Sequence, residues 1–356
     1  MISSDEHRDG ILRGGAWIKN VPSYYSPAQV LQWLSAINFV PQVTEEDITT
    51  RSFPAPLETL EQLIRLHLLT FPFENTAMHY TVDHEIDVTP EGAFKRLVAE
   101  RKGSYCFGQN TVLLGMLRGL GYRAYAASAR VNEGSLPPNY TSLVHMVVLV
   151  QPLERSNRTY LVDVGFGSPG LARPILLSNS EKDVVTGITP TEKHKLTRNA
   201  IPLSTSTVPA ELKWNLEVWH EKKDDPHASW RILYSFSEEE FFPADAQDAS
   251  FVVSQNYASN NIFCNDVICV KHFPLDEEDA KRFEGQAGSE TCMYRMVLIG
   301  KEVKKYVGSS SEVVQIFLNE VERIRALRET FGIDIDDEAE RHIRGRKSAI
   351  VKNGEA

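Results

Sequence analysis

The sequence predicts an α+β protein whose helices and strands occupy separate stretches of the chain. Three observations lead there: helical apolar spacing up to about residue 121, short β-type runs between polar loops from Tyr122, and a mixed region after Glu240.

Residues 1–24 read as a loose extension, and a helical domain over 25–121 follows. Within it, 28–34 and 57–69 carry apolar residues at helical spacing, and Thr89-Pro90-Glu91 supplies a cap with Pro at N1. The amphipathic run 107–120 ends at Gly121 as a helix does at its C-cap. A strand-rich domain over 122–236 has β-type runs at 122–131, 145–150, 160–164, 213–220 and 229–236. The turn-like stretch 151–158 predicts that the second and third runs form a hairpin of two buried strands. After Ser237-Glu238-Glu239-Glu240, a third domain over 237–335 is expected to hold a helix at 242–256, a strand at 294–299 and a long closing helix. The capping box Ser309-Ser310-Ser311-Glu312 opens that helix, with Val313, Val314, Phe317, Val321, Ile324 and Leu327 along one face. The charged residues 336–356 read as a frayed tail.

A chain of 356 residues with 42% hydrophobic and 24% charged residues has the composition of a globular protein with more than one core. Its net charge of −10 argues against a nucleic-acid partner, because phosphate binding needs a basic face and only short runs such as 301–305 are basic. No apolar h-region lies within residues 1–14 and no stretch of about 18 apolar residues occurs, so the expectation is a cytoplasmic protein with neither signal peptide nor membrane span. Cysteines at 106, 264, 269 and 292 are too few for a disulfide scaffold and suit a reducing compartment. There the sequons at Asn139 and Asn157 have no meaning. Cys264, Cys269 and His272 are spaced C-x4-C-x2-H, but Cys292 lies 20 residues further on without a companion, so buried thiols and no metal are expected. The run Gly165-Phe166-Gly167-Ser168-Pro169-Gly170 has the spacing of a dinucleotide fingerprint, yet Pro169 and Pro174 block the helix such a motif must open.

Three residues suggest chemistry. Cys106 stands at the start of the 107–120 helix, where the macrodipole and unpaired N–H groups favour a thiolate. His145 opens one of the paired strands and Asp163 lies in the other, so imidazole and carboxylate can sit side by side. Taken singly, each has a structural reading: a small buried hydrophobe, a hydrogen-bonded core histidine and a turn acceptor. Taken together, they are a thiol nucleophile, its base and the group that orients the base.

Four blocks in order then resemble the arylamine N-acetyltransferases: Phe71-Pro72-Phe73-Glu74-Asn75, Gly103 through Asn110, Val144-His145, and Asp163-Val164-Gly165-Phe166-Gly167. His145 follows Cys106 by 39 residues and Asp163 follows His145 by 18, separations like those of the family, and the likeness is best over about residues 50–175. The resemblance implies a helical bundle, a β-barrel-like domain and an α/β lid around a cysteine-protease-like catalytic core. It assigns nucleophile, base and orienting acid to Cys106, His145 and Asp163. It also implies no tightly bound cofactor, acetyl-CoA or malonyl-CoA as cosubstrate, small aromatic amines or hydrazines as acceptors in detoxification, and a monomer or weak oligomer. Gly165 and Gly167 would form a close-approach loop beside the acyl-CoA cleft, against the alternative of a simple turn. Phe73, Phe107 and Phe166 either line an apolar slot for the amine or belong to the core.

The block before the nucleophile departs from the family pattern. It has Lys102-Gly103-Ser104 where Arg-Gly-Gly is usual, and Gly108 where a longer side chain is common. The expected ion pair with Glu74 therefore falls to Lys102, or to Arg101 if the loop is shifted by one residue. Lys102, Ser104 and Tyr105 are the candidates to receive a malonyl carboxylate, with acetyl transfer the first expectation. Two other functions remain open at this stage: a papain- or transglutaminase-like amidase using the same three residues, and a non-catalytic binding module.

Overall fold

The computed structural model describes residues 8–350 except 136, 154, 203, 208–211, 222–228, 257–260 and 287. Helix α1 (Pro27–Ala36) starts with a capping box between Ser26 and Gln29 and buries Val30, Trp33 and Leu34. The short α2 (Glu45–Thr49) precedes α3 (Leu57–Thr70), which buries Leu60, Leu63, Ile64, His67 and Leu68 at the spacing of one helical face. A two-residue strand β1 (Phe73–Glu74), α4 (Ala77–Tyr80) and α5 (Pro90–Phe94) lead through a π-helical turn, Lys95–Ala99, to α6 (Cys106–Gly119). Every residue of α6 from Cys106 to Leu117 is buried, its last two, Arg118 and Gly119, are partly exposed, and Gly121 follows its end with φ +94°.

The barrel-like domain is an eight-stranded antiparallel sheet of β2 (Arg123–Val131), β3 (His145–Gln151), β4 (Tyr160–Val162), β5 (Ile175–Leu176), β6 (Val185–Thr186), β7 (Glu192–Asn199), β8 (Lys213–His220) and β9 (Arg231–Glu240). Its order is β5-β4-β3-β2-β9-β8-β7-β6, around a core that includes Val147, Leu149, Leu161, Trp214 and Phe236. The expected hairpin is present: Val148 faces Val162, Leu149 faces Leu161, and every residue of both strands is buried.

After α7 (Pro243–Gln255) and α8 (Ile262–Asn265), the chain makes β10 (Ile268–Pro274), α9 (Glu277–Lys281), β11 (Met293–Ile299), β12 (Glu302–Val307), β13 (Ser310–Ile316), α10 (Glu320–Glu329) and α11 (Glu340–Ile343). These strands and β1 form a second antiparallel sheet, β1-β10-β11-β12-β13, so the C-terminal part grips the helical part through Phe73 opposite Val270.

Three expectations need correction. The long closing helix is a strand and a shorter helix: Gly308, at φ +59°, turns β12 into β13, where β-branched Val313 pairs with Lys304 and Val314 sits at a bulge of the ladder instead of extending a helix. Helix α10 begins only at its cap Asn319 and buries Ile324 and Leu327. The N-terminal extension is not loose over its described part, residues 8–24. Leu12 and Ile18 are buried in the barrel core, Gly10 bonds Leu177, and Gln151 Oε1 accepts from the Ile18 N–H at 2.9 Å. The tail is not frayed up to residue 350. Arg323, fully buried, pairs with Glu320 and donates to the Ser348 carbonyl at 2.9 Å, while Ser348 Oγ contacts His79 Nδ1 at 2.9 Å and Ile343 is buried. Residues 1–7 and 351–356 of those two segments lie outside the described residues. Strands β7, β10 and β12 were not expected from periodicity, since their charged residues interrupt any apolar run.

The packed histidines set an acid limit. Burial lowers His67 to about 4, and lowers His79 and His272 to about 3. His67 sits between Trp33 Nε1 at 3.4 Å and Gln109 Oε1 at 2.8 Å, which suits the neutral ring. An unfolded chain protonates these rings near pH 6.5 whereas the folded chain does not, so unfolding takes up protons on the acid side and stability falls as pH drops. Each ring contributes a slope of about 1.4 kcal/mol per pH unit. Urea titrations are expected to show stability declining from pH 6.5 to 5, above the carboxylate range. A flat profile over that interval would contradict neutral buried rings.

Candidate active site

Cys106 is the first residue of α6, and its N-cap Tyr105 makes no side-chain cap. The free N–H groups of that helix start therefore surround the thiol. The sulfur lies 3.8 Å from the Val144 carbonyl, just ahead of β3, and the Cys106 thiol is among the groups that raise the basicity of the His145 ring. His145 Nε2 is 2.7 Å from Asp163 Oδ2, which leaves Nδ1 for the sulfur. The structure thus brings together all three residues read from the sequence, with Cys106 5%, His145 3% and Asp163 1% exposed.

The carboxylate is held from several sides. Asn110, one turn after Cys106 on α6, donates Nδ2 to Asp163 Oδ1 at 2.9 Å and accepts the Val164 N–H at 3.1 Å. The Gly165 N–H donates to the same Oδ1 at 2.8 Å. Burial pushes the Asp163 carboxyl up, but His145 and the donors from Asn110 and Gly165 outweigh it and hold the group below its ordinary value. Burial works against the His145 imidazolium as well. The Asp163 charge and the bonds to Asp163 and Cys106 prevail and raise it, so the ring is a strong acceptor for the thiol proton. Tyr234 and Phe166 rings flank the imidazole at 4.9 and 5.3 Å between centroids. The phenol of Tyr234 faces Asp163 and, by burial first and by that charge second, is pushed well above its ordinary range. Asn110 and Tyr234 were missed as site residues. Asn110 was legible in principle, since i and i+4 on a helix share a face, whereas Tyr234 arrives from a strand far along the chain.

Gly165 shows why no side chain stands there. A Cβ would lie 2.6 Å from Cys106 Cα and 2.7 Å from Asn110 Nδ2, so this loop packs directly on the nucleophile helix. Close approach is thus the role of Gly165, with its N–H already used by Asp163. Gly167, at φ +79°, lies against the Phe73 ring. Phe73 and Phe166 are partly exposed and enclose, with Gly167 and His272, a small cavity beside Asp163. Phe107 is fully buried against Tyr105 and Phe241 and belongs to the core, the alternative open to it in the sequence. The glycine run 165–170 is a turn closed by Gly170 N–H to Gly167 O at 3.0 Å, and no helix follows it.

The departures before the nucleophile resolve differently from expectation. Glu74, fully buried, pairs with Arg96 at 2.7 Å, and the same guanidinium donates Nε to the Gly103 carbonyl at 2.7 Å. Lys102 instead pairs with Glu100 at 3.3 Å, and Arg101 donates to the Ala36 carbonyl. The reason is steric. Gly103 is pressed against Pro72 and Glu74, where a Cβ would come within 2.0 Å of the Pro72 oxygen and 2.6 Å of Glu74 Cγ, so the residue beside Glu74 in this loop can carry no side chain. Ser104 fills the space that Gly108 leaves, because a Cβ on Gly108 would lie 2.2 Å from Ser104 Oγ. Tyr105 Oη bonds Ser250 Oγ. Lys102 and Tyr105 are thus engaged, whereas Ser104 Oγ is buried without a hydrogen-bond partner. Among the described residues no three His, Cys, Asp or Glu side chains converge as a metal-ligand set, and Cys264, Cys269 and Cys292 are separate buried thiols. A cleft of about 710 Å³ opens between the barrel and the β12–β13 hairpin, with Ser168 and Pro169 on its wall.

Comparison with known proteins extends these observations. Residues 56–278 match the family model described as N-acetyltransferase. The N-malonyltransferase FDB2 of Fusarium pseudograminearum (strain CS3096) is 30% identical over 340 residues, which cover 90% of this chain and 93% of that protein. The arylamine N-acetyltransferase of Escherichia coli (strain K12) is 27% identical over 224 residues, 61% of this chain and 67% of that one. In fold, the chain is similar to Mycobacterium marinum arylamine N-acetyltransferase in complex with CoA, with a TM-score of 0.67 at 20% identity over 90% of this chain and 99% of that one.

The Arg96 assignment has a direct consequence. Arg96→Gln leaves the Glu74 charge buried and half-paired, a change that costs roughly 3–5 kcal/mol when such a pair is broken. A substantial loss in denaturation midpoint is expected for Arg96→Gln and a small one for Lys102→Gln. Equal effects would return the pairing to Lys102.

Proposed function

The chain belongs to the arylamine N-acetyltransferase family, and from that premise we propose that it carries an acyl group from an acyl-CoA to an aromatic amine through a thioester on Cys106. The observation that carries the reading is the buried Asp163–His145 pair, 2.7 Å long, with Cys106 at a helix start and its sulfur 3.8 Å from the carbonyl of Val144, the residue before that histidine. Asp163 fixes the ring with Nδ1 toward sulfur, and His145 takes the thiol proton. The thiolate attacks the carbonyl carbon of the acyl-CoA thioester, a new C–S bond forms, and the CoA thiol leaves with a proton from His145. The amine then attacks the Cys106 thioester, its proton passes through His145, and the amide departs as the thiol is restored. Exchange of one thioester for another is nearly isoenergetic, so activation and water exclusion matter more than driving force.

Dryness favours transfer over hydrolysis. The triad side chains are almost wholly enclosed, and aromatic rings of Phe166 and Tyr234 cover the imidazole. That environment suits an apolar, planar amine better than a peptide, and a role in aromatic-amine detoxification follows from the acceptor class. Phe73 and Phe166 are the residues proposed to meet the ring. For the donor, acetyl-CoA is the first reading. The N-malonyltransferase that aligns along nine tenths of this chain favours malonyl-CoA as a second.

Cys106→Ser is expected to lower transfer by at least about a thousandfold with the fold retained, as removal of a triad nucleophile does. Product formation from acetyl-CoA, malonyl-CoA and one arylamine, followed by free-CoA release, measures it. More than a few per cent residual activity would move the nucleophile to another thiol. Asp163→Asn is expected to slow both transfer and iodoacetamide alkylation of Cys106 by orders of magnitude, roughly 10³-fold or more, through the wrong imidazole tautomer. Unchanged alkylation would remove Asp163 from the site.

A further inference from the structure

His272 is a buried histidine for which acyl transfer through Cys106 has no use. It lies in β10, 5% exposed, opposite Arg295 of β11. Side chains two apart on a strand share a face, so His272 points the same way as Val270, whose partner across the sheet is Phe73. That face closes the small cavity beside Asp163, which Phe73, Phe166, Gly167, Val270 and His272 line together with Asp163 itself. The Phe166 ring lies 5.3 Å from that of His145, so the cavity stands one aromatic ring away from the catalytic imidazole. Its volume, about 10 Å³, is close to what a single water or one substituent atom needs.

The other buried imidazoles are tied to the protein: His67 to Gln109, His79 to Ser348, His145 to Asp163 and His194 to the Pro169 carbonyl. Neither nitrogen of His272 meets a hydrogen-bonding group among the described residues, and its ring borders the cavity. Burial and the Arg295 charge lower it to about 3, so the ring is neutral and offers one N–H donor and one acceptor nitrogen. A buried polar ring without partners is costly, and what enters the cavity decides whether that cost is removed. Phe73 and Phe166 are apolar flanks for a benzene ring, one substituent of which can occupy the cavity. A hydroxyl or amino substituent bonds the imidazole, whereas a methyl group fills the same volume and leaves both nitrogens unmet. A carboxylate is disfavoured by its size and by the ionised Asp163 that borders the same cavity.

We propose that His272 is a specificity-determining residue of the acceptor site and selects aromatic amines whose ring bears a small neutral hydrogen-bonding substituent, a hydroxyl or an amino group. The inference rests on the aromatic-amine reading above and deepens it.

The test compares the wild-type protein with His272→Phe, which keeps a flat ring and removes both nitrogens, and with His272→Asn, which restores a donor and an acceptor. Transfer from acetyl-CoA is measured to the three aminophenols, the three diaminobenzenes and the three toluidines, so that every polar acceptor has a methyl twin of the same shape. At least one polar isomer is expected to exceed its twin in kcat/KM in the wild type by a margin that falls about tenfold or more in His272→Phe, the size of one buried hydrogen bond, and recovers in part in His272→Asn. Loss of the margin for the aminophenols assigns the hydroxyl, and loss for the diaminobenzenes assigns the amino group. An unchanged margin, or an equal change for polar and methyl acceptors, overturns the proposal. So does an equal slowing of the CoA release that acetyl-CoA gives with no amine present, which would make His272 a residue of the fold only. If His272→Phe does not fold, His272→Leu is read in the same way, and a wild type in which no polar isomer exceeds its twin overturns the proposal without any variant. Should the wild-type protein transfer to no amine at all, the acyl-transfer reading fails by itself. Calorimetric titration with an aminophenol and its toluidine twin then decides: a preference for the aminophenol of about tenfold that the variant lacks supports the assignment, and equal binding or none overturns it.

Discussion

Keeping one carboxylate charged in a dry interior is the constraint on which the arrangement of this molecule depends. Asp163 is 1% exposed, and an ion taken out of water without partners is costly by several kcal/mol. Its partners come from three places: Asn110 from α6, His145 from β3, and the Gly165 N–H from its own turn. Satisfying that single charge fixes the helix bundle against the barrel. The same helix that delivers Asn110 delivers Cys106 one turn earlier, so positioning the acid positions the nucleophile. The absence of a side chain at Gly165 then becomes a requirement of the site, because the turn that feeds Asp163 must pass within contact of Cys106 Cα.

The same device recurs away from the triad. Among the described residues, Glu74 with Arg96, Glu192 with Arg295 and Glu320 with Arg323 are carboxylate–guanidinium pairs buried at junctions between segments. The first stitches β1 to the turn before Cys106, the second joins the barrel to the C-terminal sheet, and the third fastens residues 348–350 beside α4. Desolvation offsets much of the Coulomb attraction in such pairs, so their effect is to exclude other packings more than to add stability. A shifted register at any of these junctions would strand a charge.

How far the sequence revealed this follows from the range of the interactions involved. The triad was legible because each member has a local signature: Cys106 at a helix start, and His145 and Asp163 on strands joined by a short turn. The hairpin, the helix before Gly121, the strand 213–220 and the one expected at 229–236, found at Arg231–Glu240, were legible for the same reason. Arg96 was not, because its distance from Glu74 is set by the path of the chain around Gly103, which nothing in the spacing of charges encodes. The hairpin at Gly308 was misread as a helix since Ser-Ser-Ser-Glu serves a cap and a strand equally, and pairing with β12 decided between them. The tail reads as charged and free until Ser348 and Arg323 are seen to meet His79 and Glu320.

Water exclusion connects these layers to the chemistry. An acyl-thioester beside an imidazole is open to any nucleophile that reaches it, and a papain-like hydrolase differs from an acyltransferase chiefly in letting water be that nucleophile. Here the imidazole clusters with the rings of Phe166 and Tyr234, Asp163 is closed off by Asn110 and Gly165, and the sulfur abuts the Val144 carbonyl. The cleft at the barrel's edge, by contrast, is lined by serines, arginines and unpartnered donors. An acyl donor has to bring its thioester into that dry recess. Once that donor's leaving group departs, an aromatic amine can compete for the recess because its ring gains from the apolar walls that water does not.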